Sequence, residues 1–118
     1  MTDCPNTPLD HTPEEVYAHS MAAIDWLEAS PDKQMIGMFA GTEDKQYTPI
    51  HADNAVCFCL LGRIAKESGM RNINQITNYM RLIGVEDADI SYMNDSGVPL
   101  SQIRDHITSQ YEGTSIND

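Results

Sequence analysis

Cys57 and Cys59 stand two residues apart, with His51 a short way upstream. A thiol with an imidazole in reach can serve as nucleophile and base, provided the thiol's pKa is lowered. Cys59 with His51 is therefore the one catalytic pair worth weighing. Against it, Cys59 falls about two turns into an expected helix, beyond the strongest influence of the helix N-terminus. Free cysteine usually packs as a small buried hydrophobe, and burial is the expected role of both sulfurs. A zinc site needs three or four ligands. On a helix, Cys57 and Cys59 point roughly 200° apart. His11, His19, His51 and His106 share no ligand spacing. No metal and no other cofactor is expected.

Two further stretches invite chemistry. Asp87 to Asp95 is acidic enough to suggest a calcium loop, but Tyr92 occupies the required glycine position and Val98 the bidentate glutamate position. A solvated loop is expected there. Asn94-Asp95 could offer an amide and a carboxylate to a ligand. The simpler expectation is a turn whose side chains bond their own backbone and orient the last helix. Met35 and Met38, with Phe39 and Tyr47, could form an adaptable apolar surface for a partner; core packing is the simpler use. The chain carries no P-loop, dinucleotide fingerprint, Ser-His-Asp order or H-E-x-x-H motif.

Charge narrows the class of partner. The chain has 18 acids against 7 bases, a net charge of −11. Residues 1–62 carry −8 of it and residues 63–118 carry −3. This balance argues against direct nucleic-acid binding and against an anionic membrane surface, and it favours a protein partner with a basic surface. The candidate binding acids are Glu14, Glu15, Asp25, Glu28, Glu43 and Asp44. Three cysteines, two of them nearly adjacent, do not suggest a disulfide framework. The start of the chain lacks a secretory pattern, and no apolar run is long enough to span a bilayer. A cytoplasmic protein is expected.

The elements that would position these residues follow from caps and periodicity. Residues 1–11 read as a flexible arm, 12–111 as one globular domain and 112–118 as a frayed tail. Thr12, Pro13 and Glu15 make a capping box with proline at the first helical position. Val16, Ser20, Ala23, Ile24 and Leu27 then recur on one face. Residues 53–68 read as a helix capped by Asp53 and closed by Gly69, apolar nearly all round, with Ala55, Cys59 and Gly62 forming a small-residue stripe for close packing. Asn72 opens a third helix that Gly84 ends, and Pro99 starts the last. The expected fold is mainly α: about four helices packed around the central apolar helix 53–68, with at most one small β-hairpin at about 35–50.

The segment Ala55-Val56-x-x-Cys59-x-Leu61-Gly62, followed by Asn94-Asp95 before a final helix, resembles a family of small uncharacterised bacterial and phage domains. Their signature is a Cys-x-Leu-Gly helix and an Asn-Asp turn before the last helix. Gly37-Met38-Phe39-Ala40 and His51-Ala52-Asp53 fit the same pattern, and the resemblance spans about residues 12–110. It implies a bacterial or phage setting and no established activity.

The expected function is a small acidic, non-catalytic protein-binding module, a phage or bacterial accessory factor that docks on a basic surface. A nucleic-acid mimic is the narrower form of this idea and requires the acids to align on one face. The alternative from another class is a small cysteine-dependent enzyme using Cys59 with His51. A homo-oligomeric structural protein is a third.

Overall fold

The computed structural model describes residues 11–116. Thr12 starts α1, Pro13–Ala29, through the expected capping box: its hydroxyl accepts the Glu15 N–H while the Glu15 carboxylate accepts the Thr12 N–H. The expected stripe of Val16, Ser20, Ala23, Ile24 and Leu27 is the face α1 buries. Buried Ser20 returns its hydroxyl to the Val16 carbonyl at 2.8 Å, which satisfies it inside the helix. After a 3-10 turn at Pro31–Lys33 the chain runs through Met35 to β1, Ala40–Gly41.

β1 pairs antiparallel with β2, Cys57–Phe58, with Ala40 opposite Phe58 and Gly41 opposite Cys57. Gly41 also bridges Tyr47, so the turn at 42–46 folds back as a minimal hairpin. The sheet's second strand, however, comes from the segment expected to be helical.

The central helix is consequently shorter than 53–68. α2 is Leu60–Ser68, capped by Cys59 and not by Asp53. An apolar run without period fits a buried strand as well as a buried helix. Here Val56, Cys57 and Phe58 are drawn into the sheet by bonds from the Val56 N–H to the Gly41 carbonyl and from the Met35 N–H to the Phe58 carbonyl. The interior placement holds: every residue of α2 is buried or half-buried. Gly69, with φ +75°, ends it as expected.

Gly62 explains the close approach that the small stripe suggested. The Phe39 carbonyl oxygen lies 1.8 Å from where a Cβ would stand. No side chain fits, so the 36–39 segment can lie directly on α2. Arg63, one residue on, stacks its guanidinium 4.1 Å from the Trp26 ring centre and bonds the Glu67 carboxylate.

The remaining helices are α3, Ile76–Arg81, entered through a 3-10 turn at Ile73–Gln75; α4, Asp87–Asp95; and α5, Leu100–Ile116. The described residues therefore form five α-helices, because the stretch expected to be an acidic loop is α4. Its few buried side chains, Ile90 and Asn94, gave little apolar signal. Its acids Asp87 and Asp89 sit in the first turn, where the helix dipole favours them. The frayed tail expected from Glu112 is helical as far as Ile116. The expected arm, apart from His11, lies outside the described residues. α2 packs on α1 and α4, and α5 on α1 and α4. Phe58, Leu60, Ile64, Tyr79, Met80, Ile83, Ile103 and Ile107 fill the space between them. The fold is thus mainly helical with one small antiparallel sheet. No described helix is long and apolar enough to cross a membrane.

Candidate functional site

The site is built around the end of α4. Asn94 is 2% exposed, yet all its polar atoms are paired. Its Oδ1 accepts the Leu60 backbone N–H at 3.1 Å and the Gln34 Nε2 at 2.9 Å. Its Nδ2 donates to the Met35 carbonyl at 2.8 Å and to Asp95 Oδ1 at 3.0 Å. Asp95 Oδ1 also accepts the Gly37 N–H at 3.1 Å. Gly37 has φ +82°, a conformation that suits glycine. The expected Asn-Asp turn is thus the last turn of a helix. The bonds cited here run mostly to distant backbone: the pair ties α4 to the start of α2 and to residues 34–37.

A cleft of about 100 Å³ opens beside this clamp, lined by Gly37, Met38, Phe39, Cys59, Ser91 and Asp95. A larger groove of about 310 Å³ counts Gln34, Ile36, Asn94, Val98 and Leu100 among its lining residues. The 36–39 segment contributes to both. It is strongly exposed: Ile36 is 62% accessible, and Phe39 is also exposed. Met35 is buried, while Met38 is half-buried. Tyr47, on the neighbouring hairpin, is 68% exposed and Tyr92, on α4, is 73% exposed. Large apolar side chains left in water on one segment are the usual mark of a contact surface.

Cys59 lines the cleft but is 8% exposed. Its sulfur accepts the Gly62 N–H at 3.3 Å, the capping role usually filled by serine or threonine. Burial pushes the thiol pKa up from 9.0 to about 11, and the Asp95 charge adds to the rise; N–H groups at the helix start oppose it. At neutral pH the sulfur is a protonated thiol and a poor nucleophile. His51 is not its neighbour. His51 Nε2 bonds the Met70 carbonyl, beyond the far end of α2, which is about 13 Å long. The catalytic pair does not assemble. Cys57 lies in β2, so the two sulfurs are not arranged as on a helix; both are free and buried. Among the described residues, no three metal-ligating side chains gather.

The six candidate acids divide into three groups. Asp25 and Glu28 each bond the Arg104 guanidinium at 2.7 Å, so α1 and α5 consume their charge. Glu15 serves the capping box, with Glu14 exposed beside it at the other end of α1. Glu43 and Asp44 are exposed on the turn between β1 and Tyr47. Sequence reasoning missed Gln34, Ile36, Ser91 and Tyr92 as parts of the site. No local sequence pattern marks them, since the exposure of Ile36 and the positive φ of Gly37 are set by the fold. Compared with family models, curated proteins and solved structures, the chain finds no match.

Proposed function

We propose that this protein is a small acidic, non-catalytic binding module that docks on a basic surface of a protein partner. The observation that carries the reading is segment 36–47. It exposes Ile36, Phe39 and Tyr47 and carries Glu43 and Asp44 on the turn between them. An apolar contact centre with a charged rim is the usual anatomy of a protein interface. The net charge of −11 would steer a basic partner toward it. In this reading the protein is a phage or bacterial accessory factor acting in the host cytoplasm, and the partner's basic surface includes nucleic-acid-binding grooves as one kind. The buried, protonated Cys59 thiol and the separated His51 give the cysteine-enzyme alternative no support.

The test is affinity capture from a host lysate with the wild-type protein and with Ile36→Asp/Tyr47→Ala. A basic partner should be retained by the wild type, lost by the variant and lost at high salt. Equal retention by both proteins, at low and high salt alike, overturns the reading.

A further inference from the structure

We propose that the cleft between residues 37–39 and α4 receives a single lysine side chain of the basic partner. The inference rests on the docking reading above and names one contact within it. Small-molecule sites usually enclose about 300–1,000 Å³. At about 100 Å³ this cleft suits one side chain instead.

Its lining fits an aliphatic stem that ends in a cation. Met38 and Phe39 supply apolar wall, and a lysine stem buries its methylenes on such surfaces while its charge stays at a polar rim. The rim here is Ser91 and Asp95, one turn apart on α4. Among the described residues, Asp95 is the one carboxylate lining the cleft. Its position is set by the Gly37 N–H at 3.1 Å and the Asn94 amide at 3.0 Å, both on Oδ1. Asn94 is in turn locked by Leu60, Met35 and Gln34. The carboxylate is thus pre-oriented, which lowers the cost of binding.

The same two bonds choose between cations. Arginine pairs best with a carboxylate through two parallel bonds, one to each oxygen. With Oδ1 already taken twice, the other Asp95 oxygen accepts no hydrogen bond among the described residues. A compact ammonium needs one such oxygen, and the Ser91 hydroxyl offers it a second acceptor. Lysine is therefore the favoured occupant.

The test titrates oligolysine, oligoarginine and Nε-acetylated oligolysine peptides into the full chain at low salt. Amide NMR shifts and peptide-resolved alkylation of Cys59 report on the cleft. Oligolysine should move the Gly37, Met38 and Ser91 resonances and slow Cys59 alkylation several-fold. Oligoarginine should bind more weakly, and the acetylated peptide should leave these resonances in place. Asp95→Asn should weaken oligolysine about tenfold, the usual scale of a charge-assisted bond. Ser91→Arg, a change at an exposed α4 position, should fill the cleft and weaken it likewise; this variant decides the matter should Asp95→Asn not fold. Oligolysine that binds both variants as well as wild type, with shifts gathered at Glu43 and Asp44, overturns the cleft but leaves the docking reading standing. Equal binding of oligoarginine overturns the preference for lysine. A failure of every basic peptide to bind overturns both.

Discussion

Asn94 Oδ1 accepts the Leu60 N–H at 3.1 Å, so a side chain from the end of α4 caps the first residue of α2. The two are 34 residues apart in sequence. A helix leaves its first N–H groups without internal partners, and a buried helix cannot hand them to water. Here Asn94 takes the first and the Cys59 sulfur takes the Gly62 N–H. The start of α2 is therefore set by one tertiary bond and one local cap, and the chain leading into the exposed 36–39 segment is held by the same asparagine at Gln34 and Met35 and by Asp95 at Gly37.

Asn94→Ala should destabilise the protein by about 3 kcal/mol. It leaves the Leu60 N–H and the Met35 carbonyl buried and unpaired, at about 1–3 kcal/mol each. Asn94→Asp should not rescue it, because the donor to Met35 is lost and a second carboxylate is set beside Asp95. Urea denaturation measures both. A loss below about 1 kcal/mol for Asn94→Ala would show that water or relaxation replaces the clamp.

Gly62→Ala tests the close approach of the 36–39 segment. Alanine is favoured over glycine within a helix by about 1 kcal/mol. That gain should be overwhelmed, because the new Cβ would sit 1.8 Å from the Phe39 carbonyl oxygen and force the segment off α2. The net effect should be a loss of about 2 kcal/mol or more, in the range of overpacked cores. Gly113→Ala is the control. It lies in α5 with nothing within 4 Å of its added Cβ, and it should stabilise by about 0.5–1 kcal/mol. Thermal melting of both variants gives the comparison, and a stabilised Gly62→Ala would contradict the packing.

These two positions also mark what the sequence discloses. Gly62 is legible because a glycine on an apolar helical stripe has few uses other than close packing. The capping box at Thr12 and the stripe from Val16 to Leu27 are legible because each is contained within one or two turns. The strand at Cys57–Phe58 is not, since an apolar run with no period looks alike in a strand and a buried helix. α4 hides because Asn94, one of its few buried side chains, is polar and its acids resemble a loop. Asn94's partners at Gln34, Met35 and Leu60 lie far away in the chain, and no local pattern announces them. The exposed Ile36 is invisible for the opposite reason: hydrophobic residues are expected to be inside.

Cys59 makes a pH prediction. Its folded pKa is raised from 9.0 to about 11, so the folded state holds the thiol proton more tightly than the unfolded chain. The resulting stability is complete below the unfolded value and is lost as pH climbs through the folded one. Buried Tyr79, also raised mainly by desolvation, acts in the same direction at higher pH. The protein should therefore lose stability progressively above about pH 9, and Cys59→Ser should flatten the first part of that loss. Native Cys59 should alkylate slowly near neutral pH and rapidly once unfolded. Fast native alkylation at neutral pH would mean an ionised thiol and would revive the cysteine chemistry.

The acids should separate by what they already bond. Asp25 and Glu28 face Arg104 at 2.7 Å each, so their charge is engaged within the fold. Glu43 and Asp44 stand exposed beside Tyr47. Neutralising Glu43 and Asp44 together, as Gln and Asn, should weaken oligolysine binding about threefold, because each rim charge contributes only a fraction of a kcal/mol. The loss should shrink as salt is added. Asp25→Asn with Glu28→Gln should leave binding nearly unchanged and instead cost about 1 kcal/mol of stability through the released Arg104, a modest sum because the pairs are largely exposed. Calorimetric titration and urea denaturation of the two double variants read the two effects apart. If the Asp25/Glu28 variant lost more binding than the Glu43/Asp44 variant, the docking face would lie along α1 and α5, away from segment 36–47.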